Sequence, residues 1–196
     1  MMTIKMLELL KNSVVIVSKQ RVLFVLLNWL FFGTMLFASF FTQRQIMEFN
    51  SDSLDDFSMK DNVFLVMLKI FSFNLLVSAF VLVTLTGFLF FGISVVFLLV
   101  RAWLWGALLN GISTAHLLIV FPTLVLEGEG YVLAALAGVS VGLSWLKPQW
   151  VFKEEKLSRL DAFKRALKEF GYIYVLVVIF LLAAAIVETT ALTFIS

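Results

Sequence analysis

The architecture turns on FPTLVLEGEGYVLAALAGVSVGLSWL, residues 121–146. It is apolar over a length that can cross a bilayer, yet it contains two carboxylates, Glu127 and Glu129. A charge at the bilayer centre costs about 2.5 to 3.5 kcal/mol on insertion scales, so intramembrane acids mark functional sites by default. Pro122 suits the first position of a helix, where its missing N–H has no partner to lose, and Glu127 follows within about two turns of that positive end. Further along, Ala134, Gly138 and Gly142 recur every fourth residue. Such a stripe of small residues lets membrane helices approach closely, and a homodimer through this face is expected.

The whole chain shares this character. Of its 196 residues, 62% are hydrophobic and only 14% charged, with a mean hydropathy of +1.04. That composition excludes a soluble domain and implies an all-α integral membrane protein whose first partner is the lipid bilayer. The net charge is a small +2 with no basic patch interleaved with aromatics, so no nucleic-acid partner is expected. Cysteine is absent, which removes disulfides and thiolate metal sites. A single histidine, His116, leaves no multi-histidine metal site within one chain. It is expected to hold a hydrogen bond rather than a metal. There is no phosphate-cradling glycine loop, nucleophile elbow or zinc-protease motif, so no cofactor is expected.

Outward from the central stretch, the apolar runs predict one transmembrane domain over 1–196 with five spans, at about 22–41, 62–84, 86–108, 122–146 and 172–195. A tight turn near 84–87 separates the second and third. Residues 1–21, with four basic residues against Glu8, read as a short interfacial helix. The acidic 42–61 stretch reads as an outer loop. Residues 110–121 reach only about 18 Å as a helix, too short to cross, and read as a re-entrant or interfacial segment. In 147–171, seven basic residues stand against four acids. Leu157, Leu160, Phe163, Leu167 and Phe170 recur there at helical spacing, the pattern of an amphipathic helix on the cytoplasmic surface. The positive-inside rule then gives a multi-pass cell-membrane protein with its N-terminus cytoplasmic and its C-terminus outside.

Five ionisable residues fall within the spans: Lys69, Arg101, Glu127, Glu129 and Glu188. Counting at 1.5 Å per residue from the expected outer ends puts Lys69, Arg101, Glu127 and Glu188 each about 8 to 10 Å deep. Two cations and at least two acids at one level predict a polar cluster facing the bundle interior. Glu129, two residues from Glu127, points to another face and is the less certain member.

The same residues carry a family resemblance. The proline followed five residues later by Glu127, then by spaced glycines, resembles the signature of the stage II sporulation protein M family of polytopic membrane proteins. LLAAAIVETTALT, residues 181–193 with Glu188, and IFSFNLL, residues 70–76 with Asn74, resemble further parts of that pattern. Asn74 thereby joins the candidate cluster. The family often has histidine directly after the proline, whereas this chain has Thr123, so no role of that histidine transfers.

The resemblance implies a non-enzymatic membrane anchor or assembly partner for a cell-envelope complex, with envelope-remodelling or transporter subunits as partners. The charges themselves suggest an alternative: a transporter or lipid- or solute-binding protein whose outward-facing polar cavity uses Glu127 and Glu188. An intramembrane hydrolase with these acids ranks last, because the sequence names no nucleophile.

Overall fold

The computed structural model describes residues 2–42, 62–109, 114–152 and 157–195. Among them the chain is helical, with no strand. This follows from the solvent: in hydrocarbon every backbone N–H and C=O must be satisfied within the segment, which leaves the helix as the only element for such a sequence. The elements are α1 (Met2–Lys19), α2 (Arg21–Phe41), α3 (Val63–Leu89), α4 (Phe91–Leu109), α5 (Thr114–Leu146), α6 (Pro148–Val151) and α7 (Arg159–Ile195). Five of them, α2, α3, α4, α5 and α7, are long and apolar enough to cross a membrane.

The 121–146 stretch lies at the centre. Every residue from Gly130 to Ser144 is buried, so α5 is enclosed on all sides by α2, α3, α4 and α7. A helix that is apolar all round belongs in such a position. The outer surfaces of the surrounding helices are rich in exposed large apolar side chains; Phe40 and Leu89 are 81% and 84% exposed. On a soluble protein a patch of this kind marks an interface, and on spans of this length it is the lipid-facing belt.

Side-chain pairs give the helix directions. Gln20 meets Ser140 and Phe31 meets Gly128, so α2 runs antiparallel to α5. Ser94 lies by Gly138 and Arg101 by Tyr131, so α4 is also antiparallel. Asn74 meets Glu127 and Thr84 meets Ala134, which makes α3 parallel. Leu181 packs on Gly130, while Tyr174 reaches Thr84 beside Ala134, so α7 is antiparallel. The directions alternate along the chain, as successive crossings require.

Three boundaries differ from those expected. The chain reverses between α3 and α4 at Phe90, in extended backbone with φ −152° and ψ 114°, rather than at 84–87. Thr84 stays helical because its side chain bonds into the bundle. The expected re-entrant piece is corrected as well: 114–121 are the first two turns of α5, and Pro122 lies inside that helix. Residues 110–113 lie outside the described ones. Proline at this position forfeits one i→i−4 bond, which membrane helices tolerate. Finally, 159–171 is not a separate surface helix. It continues without a break into the fifth span as the 37-residue α7. Gly171 does not interrupt it, because a lone helical glycine costs only about 0.5 to 1 kcal/mol relative to alanine. Ala162 and Ala166 on this extension are buried, with Phe152 and Val141.

The middle of α3, Phe73–Leu85, is wound as a π-helix. Its buried residues are Asn74, Ser78, Ala79, Val83 and Thr84, spaced by four and five rather than by the 3.6 of an α-helix. Wider winding gathers them on the one face that meets α4 and α5, and π segments frequently accompany functional sites.

The small-residue stripe makes its close contact inside this chain. A Cβ placed on Gly138 would lie 2.9 Å from the Thr84 carbonyl oxygen, and one on Gly142 would collide with the Gly87 carbonyl. Thr84 Oγ1 lies 3.0 Å from the Ala134 carbonyl oxygen. Ala134, Gly138 and Gly142 are thus covered by α3, and a homodimer has to use another face.

Candidate functional site

Three helices each contribute a pair of residues four apart to one polar network. From α3 come Asn74 and Ser78, from α4 Arg101 and Trp105, and from α5 Glu127 and Tyr131. Residues at i and i+4 share a helix face, so each pair points the same way. The Asn74 Nδ2 donates to Glu127 Oε1 at 2.5 Å. Its Oδ1 accepts from Tyr131 Oη at 2.9 Å and from Arg101 Nη2 at 3.4 Å. Arg101 Nη2 also donates to Tyr131 Oη at 2.7 Å, and Nη1 donates to Ser78 Oγ at 3.2 Å. The guanidinium lies over the Tyr131 and Trp105 rings, 4.4 and 5.2 Å from their centroids. A planar, multi-donor cation flanked by rings is a job for arginine and not for lysine.

Beside this network is a cavity of about 680 Å³. Arg101, Asn74, Glu127, Glu188, Lys69 and Thr123 supply its polar wall, and Phe73, Leu108 and Leu124 are among its apolar walls. Glu188, near the end of α7, faces Glu127 and Arg101 there. Three buried polar atoms on these residues have no hydrogen-bond partner: Arg101 Nε, Thr123 Oγ1 and Glu188 Oε2. Buried polar groups are nearly always paired, so three orphans around one cavity are an excess that an occupant can satisfy.

The structure therefore brings together Glu127, Glu188, Arg101, Asn74 and Lys69 on one cavity. Arg101 reaches Glu127 through Asn74, and no direct contact of the two is needed to join them. Glu129 is not part of it. That residue is half-buried on the opposite side of α5, where it faces Asn28 of α2. The side chain of His116 lies outside the described residues. Sequence reasoning missed Tyr131, Ser78, Trp105 and Thr123. For the first three the signal was present, since each lies four residues after a residue already singled out.

The model of the family described as stage II sporulation protein M matches residues 22–191. The chain belongs to the stage II sporulation protein M family. The match runs from the first turn of α2 nearly to the end of α7 and so contains every residue of the cavity. No curated protein and no solved structure matches the chain. In this member of the stage II sporulation protein M family, Thr123 stands directly after the proline, and its hydroxyl is one of the three orphans.

Proposed function

We propose that this multi-pass membrane protein binds a small zwitterionic solute or lipid headgroup in the cavity between α3, α4, α5 and α7, as a transport or lipid-handling component. The observation that carries this reading is the set of unmet atoms on the cavity wall: a cationic donor on Arg101, an anionic acceptor on Glu188 and a hydroxyl on Thr123. A ligand with both charges satisfies all three. The volume and the mix of apolar walls with a few convergent polar groups suit a small-molecule site.

In this reading the basic end, with α1, α6 and the start of α7, faces the cytoplasm, and the cavity opens outward, as the positive-inside rule gives. The anchoring of an envelope complex that the family resemblance implies rests on membership alone. It predicts a copurifying envelope enzyme and no use for the orphaned carboxylate.

Native mass spectrometry of protein extracted from its own membrane tests the proposal. A small bound mass is expected on the wild type, absent from both Glu127→Gln and Glu188→Gln. Identical spectra for the three proteins would contradict it.

A further inference from the structure

We propose a second, independent site at the opposite end of the bundle, which holds the headgroup of an anionic phospholipid. Where α1 gives way to α2 at Gln20, the chain borders a cavity of about 710 Å³ closed by α5, α6 and α7. The described residues lining it include Lys19, Arg165 and Gln20 but no carboxylate. Lys147 extends this positive character, with its ammonium 4.3 Å from the Trp150 ring.

The polar groups are held in place. Ser140 Oγ donates to Gln20 Oε1. Gln20 Nε2 lies 3.5 Å from Glu169 Oε2, and Glu169 Oε1 accepts from Arg165 Nε at 3.3 Å. The Arg165 guanidinium lies 4.8 Å from the centre of the Phe152 ring. Glu169 offsets one cation, and among the described residues Lys19, Arg21 and Lys147 add positive charge at this end of the bundle.

The remaining walls explain why the occupant comes from the membrane and not from solution. Val22 and Leu26 line the same cavity, are 70% and 54% exposed, and belong to a span. Basic groups beside the end of a span, with apolar side chains descending along it and an exposed tryptophan at its rim, match a phosphate headgroup with its acyl chains. A free anion has no use for the apolar part.

The test is native mass spectrometry of the purified chain given equal amounts of phosphatidylglycerol and phosphatidylcholine. Phosphatidylglycerol is expected to be retained in preference. Lys19→Gln with Arg165→Gln lowers its retention roughly thirtyfold, on the scale of two interfacial charges. Lys11→Gln with Lys168→Gln, which removes the same charge away from the cavity, leaves retention unchanged. Lys19→Gln alone keeps the Arg165 pair with Glu169 and lowers retention roughly severalfold, so a folding defect of the double variant cannot mask the result. Equal retention of the two lipids, equal loss in both double variants, no loss in Lys19→Gln, or complete displacement of the lipid by excess inorganic phosphate would each overturn the proposal.

Discussion

Asn74 Nδ2 donates to Glu127 Oε1 at 2.5 Å, and this bond joins the second span to the fourth at the level where Arg101 enters from the third. Asn74 is the hub, because its amide also accepts from Tyr131. Asn74→Ala leaves several buried groups unmet at once and is expected to destabilise the purified protein by about 1 to 3 kcal/mol or more. Leu76→Ala, at an exposed position two residues on, should change stability by less than about 0.5 kcal/mol. Thermal unfolding in detergent checks this, and equal effects would count against the hub.

Arg101→Lys keeps the charge but not the fork. The donors to Ser78 and Tyr131 leave from different nitrogens of one guanidinium, which a lysine ammonium cannot reproduce while stacking on two rings. The variant should lose stability about as much as Arg101→Gln. Full retention in the lysine variant would show that charge alone matters.

The glycines separate into two classes with opposite signs. A Cβ on Gly33 or Gly171 meets nothing within 4 Å, so alanine there should be neutral or stabilise by up to about 1 kcal/mol through helix propensity. At Gly87 a Cβ would come within 2.8 Å of Gly138 Cα, and at Gly142 it would strike the Gly87 carbonyl. Alanine at either should cost about 1 to 3 kcal/mol by forcing α3 and α5 apart. Melting temperatures of the four variants decide it.

Orientation is testable because the native chain has no cysteine. A single cysteine replacing Gln149, at the basic end, should be shielded from an impermeant thiol reagent in intact cells. One replacing Ser53 in the acidic loop should be labelled. Labelling of position 149 alone would invert the bundle.

The sequence made the fold legible because in a bilayer composition almost dictates architecture: apolar runs of about 20 residues have to be helices. Depth counting also placed Lys69, Arg101, Glu127 and Glu188 on a common level, since helical rise is fixed, while Asn74 entered only through the family resemblance. What it did not reveal depended on azimuth and on tertiary contact. The two-residue spacing already turned Glu129 away from Glu127, but that it faces Asn28 of α2 depended on the packing. Gly138 and Gly142 looked like a surface for a second chain, while packing had already assigned them to α3. The π winding of Phe73–Leu85 carries no Pro or Gly signal, and its logic appears only once the buried spacing is known. Pro122 read as a helix start because local propensity favours it there, and the bundle overrode that preference.

We infer that Glu188 serves an occupant of the cavity and not the fold. Its Oε2 has no partner in the chain, so removing its charge should cost the empty protein nothing. The direct measurement is the melting temperature of purified, ligand-free Glu188→Gln beside wild type and the double variant with Arg101→Gln. Glu188→Gln is expected to melt within about 2 °C of wild type or above it, a shift below roughly 1 kcal/mol for a chain of this size. A fall of more than about 4 °C that Arg101→Gln restores would show a packing ion pair, whose breakage costs several kcal/mol, and would contradict a ligand-binding role for Glu188.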